Sequence, residues 1–127
     1  MPISYSIDPQ SGWMLTRTDG LVTFHEVNAR LDVEQRHRDL HPAELIDARG
    51  ATTDLSVTEV RRRVQRAGEM LRGVDLSPTA IVTTNDVMFG LARMYGMLGE
   101  GVGVNTEAFR DMQSATSWLC RFEAQDN

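Results

Sequence analysis

The residues best able to do chemistry follow a short apolar segment in the first half of the chain. Leu45 and Ile46 predict the end of a buried strand, and the capping-box pattern from Ser56 to Glu59 predicts the start of a helix. Ligands of open α/β sheets bind beyond the carboxyl ends of the strands, and helix N-termini there attract anions. We therefore predict a binding rim in a loop over residues 50–56. Its candidate residues are Arg49, Thr52, Thr53, Asp54 and Ser56.

A second predicted strand ends at the same rim. Asn85 and Asp86 follow it and belong to the candidate binding residues, and one of the two caps the next helix. An alternative explains Ser56 and Asp86 as helix caps alone, each contributing about 1 kcal/mol of stability. The weakest hypothesis is an enzyme built around four residues of this rim, because no general base is evident. They are Asp47, Arg49, Ser56 and Asp86. The sequence therefore predicts no catalytic site.

The helix predicted over residues 86–98 has more apolar surface than one core-facing side needs. Helical spacing predicts a core face formed by Val87, Leu91, Met94 and Leu98. The surplus apolar residues are Met88, Phe89, Ala92, Tyr95 and Met97. This surplus predicts a homodimer or partner interface, or a pocket for a small apolar ligand whose polar head Arg49 or Arg93 would hold. The alternative is a helix buried between the sheet and its neighbours.

Three further patterns have simpler explanations. The helix predicted over residues 57–72 carries a face of arginines that we expect to be solvated: Arg61, Arg62, Arg63, Arg66 and Arg72. His37 and His41 have the spacing of helical metal ligands, but a proline follows at once, so no metal site is predicted. Cys120 is predicted to be a small buried hydrophobe. No cofactor is expected.

The composition bounds the class of protein. The 127 residues are predicted to form a single domain, residues 1–127. The net charge of −5 argues against nucleic-acid binding, which needs a positive field, and the absence of lysine excludes Schiff-base lysine chemistry. No apolar run approaches the roughly 20 residues that span a membrane, and the start lacks a signal-peptide pattern. With a single cysteine, the chain is expected to be cytoplasmic.

The alternation of strand and helix patterns predicts an α/β architecture. Strands are predicted at residues 3–7, 13–18, 43–47, 79–84 and 102–109, and helices at residues 24–38, 57–72, 86–98 and from Met112 onwards. Asp19 and Gly20 are predicted to end the second strand. The order β-β-α-β-α-β-α-β-α predicts a five-stranded, mostly parallel sheet with an N-terminal antiparallel hairpin and four helices.

This pattern resembles a known family. The element order, the strand Leu45-Ile46-Asp47, the loop ending Thr53-Asp54-Leu55-Ser56 and the capped helix after it resemble the STAS domain, the SpoIIAA-like fold of anti-sigma-factor antagonists. The chain looks closest to small uncharacterised bacterial proteins of that fold. The closer likeness rests on residues 5–23 (YSIDPQSGWMLTRTDGLVT), 89–98 (FGLARMYGML) and 109–119 (FRDMQSATSWL).

The resemblance implies a non-enzymatic regulatory or protein-interaction module with a protein partner or a second copy of itself. In antagonists of this fold, a kinase phosphorylates a serine in an Asp-Ser-Ser-like motif. Ser56 with Asp54 falls near that motif, although Leu55 interrupts it. Relatives of the fold among lipid-transfer proteins bind apolar molecules, which would suit the methionine-rich helix. A binder of a small apolar or amphipathic ligand is therefore the alternative function.

Overall fold

The computed structural model describes residues 3–37, 43–70, 78–102 and 104–126. Within these residues the chain forms five strands and four α-helices, in the predicted order. They are β1 (Ile3–Ile7), β2 (Met14–Val22), α1 (Phe24–His37), β3 (Glu44–Thr53), α2 (Val57–Met70), β4 (Thr79–Val82), α3 (Asp86–Gly99), β5 (Thr106–Phe109) and α4 (Met112–Asp126).

The strands form one mixed sheet in the order β1-β2-β3-β4-β5, with β1 antiparallel to β2 and all other neighbours parallel. The predicted fold class is therefore confirmed. The hairpin turn forms because Asp8 accepts hydrogen bonds from the backbone N–H groups of Gln10 and Ser11, while Gly12 adopts a positive φ of 77°.

Strands β2 and β3 are longer than the sequence predicts. β2 continues through Asp19 and Gly20 to Val22, so these two residues do not end it. β3 continues to Thr53, so most of the predicted loop over residues 50–56 is strand. The two strands stay paired because the register shifts by one residue after Arg17, with Gly20 at a φ of 74°. A bulge of this kind lets a ladder continue past turn-forming residues.

The sheet is covered on both faces. Neighbouring residues of β3 point to opposite sides, so Ile46 packs with Val27 of α1 and Met88 of α3, whereas Leu45 packs with Leu119 of α4. Helices α1 to α3 thus share one face and α4 covers the other, as expected for successive right-handed crossovers along one direction of a sheet.

Several predicted boundaries and burials are wrong. β5 starts at Thr106, because a 3₁₀ turn at Glu100–Val102 extends α3. Cys120 is exposed, since Ala115 and Leu119 form the inner side of α4 and the next residue is turned by about 100° from that side.

The face of α3 that meets the sheet also differs from the predicted one. Val87 and Leu98 are exposed, although both were predicted to belong to its core face, and Gly96 and Gly99 are buried instead.

Candidate functional site

The predicted rim begins with an ion pair on β3. Arg49 Nε and Nη2 each donate to a carboxylate oxygen of Asp47 at 2.9 Å. The hydrogen bond from the Arg49 side chain holds the pKa of Asp47 below its ordinary value. About half of the Arg49 side chain stays exposed, so the pair is open to solvent. The two groups neutralise each other and leave no separate charge for an anion.

The remaining rim residues of β3 and α2 have structural contacts or lie in solvent. Thr53 Oγ1 donates to the carbonyl of Val22 at 2.7 Å. Ser56 and Glu59 form the predicted capping box: Ser56 N–H donates to Glu59 Oε1, and Glu59 N–H donates to Ser56 Oγ. Thr52 and Asp54 are exposed. Asp47 is the last residue of β3 that pairs with β4, and β3 continues for six residues beyond it. Thr52 and Thr53 are therefore part of the strand, and Asp54 and Ser56 follow its end.

The residues after β4 stabilise the start of α3. Asn85 is the N-cap, and its side chain accepts from Met88 N–H at 2.9 Å. Asp86 is exposed and pairs with Arg110 at 2.8 Å, and the Arg110 guanidinium lies 4.0 Å from the ring centroid of Phe89. One contact joins the two halves of the rim: Thr84 Oγ1 donates to the carbonyl of Arg49 at 3.4 Å.

A cavity of about 160 Å³ lies between the sheet and helices α1 to α3, and it is partly open to solvent. Its apolar wall is formed by side chains from β2, β3, β4 and all three helices. These include Val22, Val27, Ile46, Val60, Ile81, Met88, Leu91, Ala92 and Tyr95. Of the five surplus apolar residues of α3, the structure places Met88, Ala92 and Tyr95 on the cavity. Phe89 lies under Arg110, and Met97 is 67% exposed.

Arg30 lines the cavity and belongs to a buried ion pair that the sequence did not predict. Glu44 is 1% exposed; it pairs with Arg30 of α1 and accepts a hydrogen bond from Thr16 Oγ1 at 2.6 Å. The Arg30 guanidinium also lies 5.2 Å from the ring centroid of Tyr5. Buried charges need such partners because an isolated charge in the interior is very costly.

Arg63 is a second buried arginine at the cavity, and the prediction that it belongs to a solvated face is wrong. Only 6% of it is exposed. Its Nε donates to the carbonyl of Val27 at 2.8 Å, and its Nη1 donates to the hydroxyl of Tyr95 at 2.9 Å. The spacing contained a signal for this: Arg63 shares the inner stripe of α2 with Val60 and Ala67.

The arginines named as ligand holders lie elsewhere. Arg49 is paired on β3, and Arg93 is exposed on α3. Within the described ranges, no group of three or more His, Cys, Asp or Glu side chains could hold a metal ion, and no helix there is long and apolar enough to cross a membrane. The His37–His41 pair lies outside the residues whose side chains are described.

The comparisons with known proteins bear on the fold. No protein-family model and no curated protein matches the sequence. Among solved structures, the chain is similar to an uncharacterised protein from the DUF3478 family, with a SpoIIAA-like fold, from Shewanella loihica PV-4. The TM-score is 0.55 at 15% sequence identity, and the match covers 93% of this chain and 92% of that one. The architecture and this match together show that the chain has the SpoIIAA-like fold.

Proposed function

We propose that this chain is a non-enzymatic regulatory or interaction module that takes a small apolar or amphipathic molecule into the cavity between its sheet and helices α1 to α3. The observation that carries the proposal is the cavity itself. Protein interiors pack with few voids larger than a water molecule. A space of about 160 Å³ matches the roughly 150 Å³ of an engineered apolar cavity that binds benzene.

The apolar part of the lining supports an occupant. A bound apolar group would make dispersion contacts with Met88, Leu91 and Ala92. Its transfer from water would favour binding by about 25 cal/mol per Å² of apolar surface buried.

Filling the cavity should abolish binding. We expect Ala92→Phe to place a ring where a ligand would lie and to weaken the binding of benzene at least tenfold. The measurement is a titration with benzene followed by methyl NMR of Met88, whose side chain lines the cavity. The matched control is Ala29→Phe, because Ala29 is exposed on α1. An unperturbed Met88 methyl signal in the wild-type protein at millimolar benzene would contradict the proposal.

A second candidate function, protein binding through the outer side of α3, rests on the exposed apolar residues there. Val87 is 61% exposed and Met97 67% exposed, with Leu98 and Val102 also exposed nearby. Such grouped apolar residues mark interaction surfaces more often than scattered ones do. We propose a second copy of this chain as the partner. Phosphorylation of Ser56 and a cytoplasmic location belong to the same regulatory proposal.

Self-association should depend on this side of α3. We expect sedimentation velocity to show a dimer that Met97→Glu weakens at least tenfold, because a charge would be buried against apolar partners. Leu21→Glu is the control, since Leu21 is a half-exposed residue of β2. A wild-type monomer up to high micromolar concentration would refute self-association and leave the ligand proposal intact.

A further inference from the structure

The polar groups around the cavity indicate which kind of ligand it accepts. Among the described residues, two buried side-chain oxygens on the cavity lining have no hydrogen-bond partner: Thr18 Oγ1 and Glu26 Oε2. Thr18 is only 6% exposed. Buried polar atoms are nearly always satisfied, because an orphaned one costs about 1–3 kcal/mol. Two such oxygens on one cavity therefore need a partner that the described residues do not supply.

The topology places Thr18 and Glu26, which carry these two oxygens, on the same side of the Arg30–Glu44 ion pair. Thr18 lies two residues beyond Thr16 on one face of β2, and Thr16 hydrogen-bonds the Glu44 carboxylate that pairs with Arg30. Glu26 lies one helical turn before Arg30 on α1. Helix α1 runs in the direction opposite to β2. The step from Thr16 to Thr18 along β2 and the step from Arg30 back to Glu26 along α1 therefore lead in the same direction from the ion pair, by about 6–7 Å each.

The carboxylate oxygen of Glu26 only accepts hydrogen bonds, the Thr18 hydroxyl can accept as well as donate, and the cations of the cavity are engaged. Glu26 uses Oε1 to accept from Thr23 N–H and Thr23 Oγ1, which leaves Oε2 without a hydrogen-bond partner among the described residues, on a side chain that lines the cavity. Arg30 pairs with Glu44, while Arg63 donates to a carbonyl and to Tyr95. A carboxylate ligand could accept from the Thr18 hydroxyl, but it would have to approach the Glu26 carboxylate, which repels it.

We infer that the cavity selects a small amphipathic ligand whose polar end is a hydrogen-bond donor, an alkylammonium or an alcohol. Its donor group binds Glu26 Oε2 and the Thr18 hydroxyl, and its apolar part lies along Met88, Leu91 and Ala92 of α3. This inference rests on the proposed function, since it specifies the occupant of the same cavity. The volume limits the enclosed part of the ligand to about the size of benzene.

The test uses matched five-carbon probes: pentylammonium, pentan-1-ol and pentanoate, titrated into the wild-type protein with methyl NMR of Met88 as the readout. We expect both donor probes to bind at least tenfold more tightly than pentanoate. A charge-assisted hydrogen bond is stronger than a neutral one, so pentylammonium binding more tightly than pentan-1-ol would identify an ammonium ligand, and the reverse an alcohol.

Two variants separate this inference from the proposal on which it rests. Glu26→Gln keeps an oxygen for Thr23 but presents an amide to the cavity, and Thr18→Val removes the hydroxyl at constant shape. We expect at least tenfold weaker pentylammonium binding for Glu26→Gln and a smaller loss for Thr18→Val. In both variants, benzene binding should weaken less than pentylammonium binding, because benzene has no donor group.

The outcomes are distinguishable. If pentanoate binds as tightly as pentylammonium, or if both variants bind pentylammonium like the wild type, the donor inference is wrong while the ligand cavity stands. If neither benzene nor any five-carbon probe binds, the two oxygens are satisfied by water alone, and the proposed function fails together with the inference.

Discussion

Glu44→Gln is expected to lower the free energy of unfolding by about 3–5 kcal/mol, the range found when one partner of a buried ion pair is removed. Glu44 is almost fully buried, pairs with Arg30 and accepts a hydrogen bond from Thr16. Glutamine keeps one acceptor oxygen but turns an amide donor towards a guanidinium that stays charged. The loss comes from the buried charge of Arg30 and far exceeds that of a neutral hydrogen bond, about 1 kcal/mol.

Urea unfolding followed by circular dichroism measures this effect, and Thr16→Val is the matched control. That variant removes one hydrogen bond to Glu44 and leaves the ion pair, so we expect a loss of about 1 kcal/mol. The double variant Arg30→Met with Glu44→Gln should recover part of the loss, because no charge then remains to be buried. A loss below about 1 kcal/mol for Glu44→Gln would show that the pair is solvated.

The same ion pair links stability to the proposed ligand site. Arg30 and Thr16 both contact Glu44, and both line the cavity together with Glu26 and Thr18. A buried pair need not add net stability, and replacing it with apolar residues can be neutral or stabilising. Its presence at the cavity is better explained by the orientation that it gives to the surrounding polar groups.

The sequence predicted the order of elements correctly because strands and helices have distinct apolar periods. The prediction failed where residues that favour a turn are held in a strand by pairing with a neighbouring strand. Asp19, Gly20 and Gly50 are turn-forming residues, yet all three stay in strands because β2 and β3 pair through a bulge. A bulge is set by the partner strand, so neither segment alone reveals it.

The charged residues at the cavity could not be predicted for a similar reason. Glu44, Arg30 and Arg63 belong to an α/β interior that forms only when β3, α1 and α2 come together. Charged residues are expected outside unless they are paired, and their partners are up to tens of residues away in the chain. In contrast, the capping box at Ser56 was predictable, since both of its members lie within one helical turn.

The orientation of α3 was predicted wrongly for a physical reason that leads to the second large effect. This helix is apolar on nearly all sides, so hydropathy does not choose a face. The small residues determine which face packs inwards. Ala92, Gly96 and Gly99 recur at helical spacing, and Gly96 and Gly99 are buried against residues 104–106, where β5 begins. Close approach of the helix to that strand requires residues without bulk, and they contribute little to any apolar pattern.

Gly96→Ala should therefore destabilise the protein by about 2 kcal/mol or more, whereas Gly90→Ala on the same helix should stabilise it by about 1 kcal/mol. A methyl group at position 96 would overlap the backbone carbonyl oxygen of Thr106, which cannot move without displacing β5. At position 90 nothing lies within 4 Å, so alanine only adds helix propensity. The two substitutions are chemically identical, and their effects differ in sign only if α3 presents this face to the sheet.

Thermal unfolding of the two variants tests which face of α3 packs against the sheet. At about 4 °C per kcal/mol for a chain of this size, we expect the midpoint to fall by about 8 °C or more for Gly96→Ala and to rise by about 4 °C for Gly90→Ala. If both variants were stabilised, the face of α3 predicted from hydropathy would be the inner one. Met88, Ala92 and Tyr95 would then turn away from the sheet, and the cavity would lose the wall on which a ligand depends.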